Sequence, residues 1–404
     1  MSPGMVIVGE TSSTATVFFD NNNNNNESRL YEKGVKNMYE NGIQRIPAKY
    51  VFPAEERPDM PAMTTGDEGN SKNININNPC PNVDDDDGLN QLDLPIIDFA
   101  QLRGPNRSDA LKSLAHACET YGFFQLVNHG IGEEIVAEMV DVCKRFFEMP
   151  IAEREKYMSG DTSSPVRYGT SFNQTNDGIY CWRDFLKLVC TPLPDVLPHW
   201  PSSPLHLRQM ALNYAKETKG LFLELVEAIL ESLGLTINDD EERMVMKDLA
   251  DINGSHMMIV NCYPPCPQPD LTLGMPPHSD YGFLTLLLQD NVRGLQIQHR
   301  RKWATVNPIP GSFIVNVGDH LEIFSNGRYK SVLHRVIVNP TKYRLSVASL
   351  HSVAFSSTVR PAAALITDTN PRRYRDTDFA TFLKYITSCD SKNKNFLQSR
   401  KLTS

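Results

Sequence analysis

Apolar positions recur three and four apart in long runs between residues 94 and 250, then in short, strand-sized runs beyond about residue 252. LPIIDF (94–99) predicts a short strand, Arg107–Tyr121 a helix, and GFFQLVNHG (122–130) another strand. Within Gly132–Glu148, Ile135, Met139, Val142 and Phe146 fall on one helical face. Leu205–Gly234 predicts the longest amphipathic helix, with Gly234 as its stop. Residues 160–200 read as loop, punctuated by Pro192, Pro194 and Pro198. The later strands are expected at 256–263, 283–289, 294–298, 302–306, 312–317, 330–338 and 344–350. Turn signals such as Asn-Pro, Pro-Gly and Asn-Gly separate them at intervals near ten residues, the texture of a β-sandwich or jelly roll. VNVGDHLEIFSNG (315–327) reads as a strand, a Gly-Asp turn and a second strand, and Asp376–Lys401 as a final helix.

Residues 1–93 have a different texture. Six consecutive asparagines (Asn21–Asn26), NSKNININN and the run Asp84–Asp87 cannot build a core. Only a short stretch near 31–58 has the apolar spacing of an ordered segment. This leader holds 15 acidic and 7 basic side chains, which accounts for the whole net charge of −8; residues 94–404 carry 33 of each sign. Such balance argues against a nucleic-acid surface or a polybasic membrane patch. No apolar run approaches the roughly 18 residues that span a bilayer, and the N-terminus lacks a basic signal-peptide region. The 8 cysteines are scattered without a Cys-x-x-Cys pair, as in a reduced cytosolic protein. The expected divisions are the leader (1–93), a helical region (94–250), a strand-rich core (251–360) and a helical tail (361–404).

The strand-rich part contains His278-Ser279-Asp280. In an extended segment residues i and i+2 point to one face, so an imidazole and a carboxylate can meet at one point. His334, on a strand further on, can supply a third ligand. Two histidines and one carboxylate leave open metal positions, the facial triad of non-haem Fe(II) oxygenases. Ten residues beyond His334, Arg344 and Ser346 share a strand face. A guanidinium beside a hydroxyl makes a carboxylate receptor. Asn261 and Tyr263 form another same-face polar pair, and the Tyr263 phenol can add a hydrogen bond. His256, Asp319, His320 and His351 are left outside the ligand set.

These motifs, with NCYPPCPQPDLTLG (261–274), FSNGRYKSV (324–332), ACETYGFFQLVNHGI (117–131) and FFEMPIAEREKY (146–157), resemble the plant soluble 2-oxoglutarate- and Fe(II)-dependent dioxygenases. CWRDFLKL (181–188) is similar to a segment of the downy-mildew-resistance-type oxygenases, beside flavanone hydroxylases and flavone synthases. The resemblance covers roughly residues 94–400.

The resemblance implies an α+β fold, a double-stranded β-helix (jelly-roll) core with an N-terminal helical layer. It implies Fe(II) held by His278, Asp280 and His334, with 2-oxoglutarate resting on Arg344, Ser346, Tyr263 and Asn261. O2 would be the other cosubstrate and ascorbate the reductant. The reaction implied is hydroxylation or desaturation of a small apolar plant metabolite (flavonoid, phenolic, indole or hormone), with release of succinate and CO2. By position, Tyr168, Phe172, Phe185, Ile259, Phe283, Leu350 and Phe355 are expected to line the substrate pocket. A same-fold oxidase that does not use 2-oxoglutarate, and a non-catalytic metabolite-binding jelly roll, remain the alternatives. The expected protein is a monomer, cytoplasmic or also nuclear, that takes a small-molecule substrate and binds neither nucleic acid nor membrane.

Overall fold

The computed structural model describes residues 33–58, 91–171, 178–235, 240–251, 254–388 and 396–402. Two sheets face each other. The smaller has the order β1-β10-β9-β12-β7 and the larger β2-β3-β11-β8-β13-β6-β5-β4. In chain order the strands are β1 (Gln91–Leu92), β2 (Ile96–Asp98), β3 (Phe123–Val127), β4 (Val166–Thr170), β5 (Asp184–Val189) and β6 (His256–Tyr263). They continue with β7 (Met275–His278), β8 (Leu284–Gln289), β9 (Leu295–His299), β10 (Lys302–Val306), β11 (Phe313–Val317), β12 (His334–Val336) and β13 (Arg344–His351). The longer helices and those used below are α1 (Val35–Glu40), α2 (Arg107–Thr120), α3 (Glu133–Glu148), α4 (Leu207–Ser232), α5 (Asp240–Ala250), α6 (Asp319–Phe324) and α7 (Phe379–Ser388). This is the double-stranded β-helix with a helical layer.

The outer face of the large sheet is apolar, and the helices cover it. Met258, Val260 and Cys262 of β6 join Leu345 and Val347 of β13 in one core with α3 and α4. The helix α4 buries Ala211, Tyr214, Ala215, Thr218, Phe222, Leu225 and Ile229, spaced three and four apart, against that face. Each fully buried large apolar side chain contributes roughly 1.5–3 kcal/mol by leaving water. The helix ends where Gly234 takes a φ of 80°, letting the Leu235 N–H reach the Leu230 carbonyl at 3.0 Å. The alternate residues of the same strands face inward, toward the small sheet. Because β13 and β6 run antiparallel in the register Arg344↔Tyr263 and Ser346↔Asn261, those four residues form one inner patch.

Two expectations are corrected. The 160–200 segment is not simply loop: β4 and β5 pair with each other and extend the large sheet beyond β6. The second strand expected after Gly318-Asp319 is the helix α6, whose six residues are all buried. Among the described residues, no helix is long and apolar enough to cross a membrane.

Candidate active site

Strands β7 and β12 pair so that His278 and His334 sit directly opposite each other. Their rings lie 4.1 Å apart at 50°. The Nε2 atoms of His278 and His334 each lie 3.8 Å from Asp280 Oδ1. One ligand atom from each of the three residues lies within 4.8 Å of the others, the one such His/Cys/Asp/Glu group among the described residues.

Hydrogen bonds prepare these atoms for a metal. His278 Nδ1 lies 2.9 Å from the Pro276 carbonyl and His334 Nδ1 lies 3.2 Å from the Val332 carbonyl. A carbonyl only accepts, so each Nδ1 carries a proton and each Nε2 is the nitrogen left to face Asp280. Burial, with His334 close by, pushes the His278 pKa down to about 4, so its ring is neutral near pH 7. For Asp280, burial alone would raise the pKa. The two imidazoles and the donors Thr285 and Asn316 outweigh it and hold the carboxyl below its ordinary value. Those donors both use one oxygen: Thr285 Oγ1 at 2.6 Å and Asn316 Nδ2 at 2.9 Å bind Asp280 Oδ2. Oδ1 is the oxygen turned toward the two imidazoles. Two imidazoles with their Nε2 atoms turned to a one-oxygen carboxylate fit Fe(II).

Further along the inner face, Arg344 is 3% exposed and Ser346 2%. Arg344 donates through Nη2 to Gln289 Oε1 (2.8 Å) and through Nε to the Val292 carbonyl (3.2 Å). Its third nitrogen, Nη1, is buried with no hydrogen-bond partner among the described residues, and so is Asn261 Oδ1. Asn261 Nδ2 lies 3.4 Å from Ser346 Oγ. The Tyr263 ring sits 5.2 Å from the Arg344 guanidinium. A buried guanidinium with one donor left over beside a hydroxyl fits a carboxylate from 2-oxoglutarate.

The expected pocket residues divide. Phe185 of β5 is paired with Asn261 and so belongs to the inner face, its ring flanked by the guanidinium groups of Arg167 (5.2 Å) and Arg183 (4.9 Å). Ile259 and Leu350 are half-buried on the same face of β6 and β13. Phe355 is 55% exposed and stacks on Phe379 of α7 at 4.0 Å. Tyr168 is a correction. It is paired with Leu186, on the helix-covered side, and its hydroxyl donates to Asp184 and accepts from Arg154. Phe283 is the second correction: its ring is fully buried in the helix-covered core, 5.8 Å from Phe324. Phe172 lies outside the described residues.

Several residues about the site had little or no sequence signal. Thr285 and Asn316 belong to strands β8 and β11, and only the fold brings them to Asp280. Asp319, fully buried at the start of α6, accepts from Ser279 (3.2 Å) and Ser331 (2.7 Å), and its N–H donates to the Asp280 carbonyl (2.7 Å). It ties the turn between the first two candidate ligands to the segment leading into His334. Burial comes first among the causes that push its pKa up to about 7. A Gly-Asp dipeptide after a strand was the one visible hint of it.

Residues 254–352 match the sequence model of the 2OG-Fe(II) oxygenase superfamily. Residues 94–206 match that described as the N-terminal part of non-haem dioxygenases in morphine synthesis. DMR6-like oxygenase 2 of Arabidopsis thaliana is 38% identical over 344 residues, covering 85% of this chain and 90% of that protein. Flavanone 3-dioxygenase 2 of Oryza sativa subsp. japonica is 37% identical over 340 residues, covering 84% and 89%. The crystal structure of JOX2 in complex with 2OG, Fe and JA superposes with a TM-score of 0.74 at 29% identity, over 92% of this chain and 98% of that one. A likeness that runs through most of each relative's length and through both layers of the fold places this chain in the 2-oxoglutarate- and Fe(II)-dependent oxygenase family, and it is a dioxygenase that uses Fe(II), 2-oxoglutarate and O2.

Proposed function

We propose that His278, Asp280 and His334 hold the iron, that Arg344, Ser346, Tyr263 and Asn261 hold 2-oxoglutarate, and that the substrate is a small, flat, apolar plant metabolite. The observation that carries this reading is the convergence of three prepared ligand atoms within 4.8 Å, on the same interior as the unpartnered Arg344 Nη1. Bound Fe(II) would supply the O2 activation that couples loss of CO2 from 2-oxoglutarate to oxidation of a substrate C–H bond. In hydroxylation, substrate, 2-oxoglutarate and O2 become alcohol, succinate and CO2.

The chain's own residues bind, orient and shield. Thr285 and Asn316 keep Asp280 turned so that one oxygen faces the imidazoles. The carbonyls of Pro276 and Val332 fix the histidine tautomers. Arg344 would fix the far carboxylate of the oxoacid and so set the direction of its reacting end. Phe185, Ile259 and Leu350 offer an apolar wall for a flat molecule. One relative is named for a flavanone and the JOX2 structure holds JA, which supports a small-molecule substrate. The reading includes a cytoplasmic monomer with no nucleic-acid partner.

The test is succinate release, with Fe(II) and ascorbate, across fractionated plant metabolites, with and without 2-oxoglutarate. Substrate mass shifts then separate added oxygen from lost hydrogen. Activity requiring the oxoacid, and abolished in His278→Ala and Asp280→Ala, is expected. Normal turnover by either variant, or turnover without the oxoacid, would sink the assignment.

A further inference from the structure

Tyr263 ends β6, and the loop 264–274 then carries the chain to β7 and His278. This loop links the oxoacid patch to the first candidate iron ligand, and a distant stretch of chain sutures it. Ile46 N–H donates to Gln268 Oε1 (3.0 Å) and Phe52 N–H to the Leu271 carbonyl (2.9 Å). Trp182 donates through its ring to the Pro264 carbonyl (3.0 Å) and through its amide to the Leu273 carbonyl (2.9 Å). Trp182 is in turn held by the N-terminal segment. Tyr50, fully buried, meets Trp182 and Tyr180 edge-on at 5.6 and 5.5 Å, and the Tyr180 amide donates to the Lys49 carbonyl (2.7 Å). Val35, Met38, Ile46, Tyr50, Trp182 and Tyr263 belong to one apolar cluster.

The segment is latched at its start. Asp184, fully buried on β5, accepts the Val35 amide (2.9 Å) and the Lys36 amide (3.0 Å) with its two oxygens. Gly34 precedes them with a φ of 94°, and a Cβ there would lie 2.5 Å from the Asp184 carboxylate. Arg154, itself fully buried, pairs with Glu40 at the far end of α1 (2.9 Å). Asp184 stands between Arg183 and Phe185, two residues next to the inner face. The same strand therefore holds the N-terminal segment on one side and forms the site wall on the other.

We propose that the N-terminal segment 33–58 is a working part of the oxoacid site: through Tyr50 and Trp182 it positions Tyr263 and the 264–274 loop, with Asp184 as its latch. Tyr50, Trp182 and Asp184 are positioning residues, since none belongs to the carboxylate patch itself. The inference rests on the assignment of 2-oxoglutarate to that patch. Linkage is reciprocal: if docking of the segment favours 2-oxoglutarate, binding of 2-oxoglutarate must favour docking.

The test uses the full chain. In Tyr50→Ala, the KM for 2-oxoglutarate is expected to rise about tenfold. The kcat at saturating oxoacid and the affinity for Mn(II), the metal probe, should stay within about twofold, and Tyr50→Phe should restore the KM. Gly34→Ala, a milder change that disturbs only the latch, should move the KM in the same direction and serves if Tyr50→Ala does not fold. Hydrogen exchange reads the same coupling without turnover: the amides of Val35, Lys36 and Phe52 should slow when 2-oxoglutarate is added to the Mn(II)-loaded protein. An unchanged KM in both variants overturns the proposal, as does a parallel loss of Mn(II) affinity, or exchange at those amides indifferent to the oxoacid. Arg344→Gln separates the two levels. If it too leaves the KM unchanged, the oxoacid assignment has failed; if it raises the KM while Tyr50→Ala does not, only the role of the segment has.

Discussion

Asp280 Oδ2 receives two hydrogen bonds, from Thr285 Oγ1 at 2.6 Å and Asn316 Nδ2 at 2.9 Å. They cost the site nothing in ligands, because Oδ1 is the oxygen that faces both imidazoles. Their effect is to stop the carboxylate from rotating and to keep it ionised where burial would favour the neutral acid. Thr285→Val removes the hydroxyl at nearly constant shape, and Asn316→Leu removes the amide. A hydrogen bond to a charged group contributes about 1.5–3 kcal/mol. If most of that is expressed in the bound state, each variant should bind a divalent metal about 10- to 100-fold more weakly, since 1.4 kcal/mol is about tenfold. The double variant should lose less than the product of the two, because both donors serve the same oxygen.

The assay is calorimetric titration of Mn(II) into metal-free protein, with urea unfolding as the control. Thr285→Val also takes a hydrogen bond from Asp280 Oδ2 in the metal-free fold, so its unfolding midpoint should fall while the protein stays folded through the titration. Metal affinity within about twofold of the parent in all three variants would refute the idea that Oδ2 is the anchored oxygen. Loss of a single cooperative unfolding transition in any variant would refute a local effect.

Three further outcomes follow from the same geometry. Arg344→Gln removes the buried charge proposed to hold the oxoacid, so the KM for 2-oxoglutarate should rise at least about 30-fold, equivalent to about 2 kcal/mol; a shift below threefold in steady-state kinetics would contradict the assignment. His351 stacks between Phe222 (4.4 Å) and His256 (4.1 Å), and burial lowers the pKa of both histidines, that of His256 to about 3. The folded rings stay neutral while the unfolded chain takes up protons below about pH 6.5, so each costs about 1.4 kcal/mol per pH unit as pH falls through that point; urea unfolding from pH 7.5 to 5 should show a flatter acid limb in His351→Phe, and an identical slope would count against it. Tyr168→Phe should lower stability by about 1–3 kcal/mol, by stripping a partner from Arg154 and Asp184, and leave substrate KM alone, whereas Phe185→Ala should change substrate KM; the reverse pattern would return Tyr168 to the pocket.

The sequence predicted strands well where neighbours alternate in a regular way. HMMIVNCY spans β6 residue for residue, because apolar outer positions and mixed inner ones follow the pleat. The same alternation brought out His278, Asp280 and the Arg344–Ser346 pair, since sharing a face needs no more than a spacing of two. It failed at DFLKLV. Asp184 stands on the buried outer face, where only a remote partner makes a carboxylate tolerable, and its amide donors lie 149 and 148 residues away. Nothing local marks such a position as strand. Helix α6 failed for a related reason: its polar residues Asp319, His320 and Glu322 are buried along with its apolar ones, so polarity over six residues does not separate an inner from an outer face.

The sequence alone sets Tyr168 and Phe283 in the pocket because it carries no register. Which way a strand residue points is decided by the strand beside it, and a slip of one residue exchanges the two faces. The β4–β5 register puts Tyr168 opposite Leu186, hence toward the helices, and Phe185 opposite Gly169, hence toward the interior. Thr285 and Asn316 were invisible on the same grounds. Each is an ordinary strand residue until β8 and β11 pair, Thr285 directly across from Asn316, and set both at Asp280 Oδ2. The types and spacings of candidate ligands are therefore local properties, readable from the chain, while the groups that orient them depend on long-range pairing and emerge only with the fold.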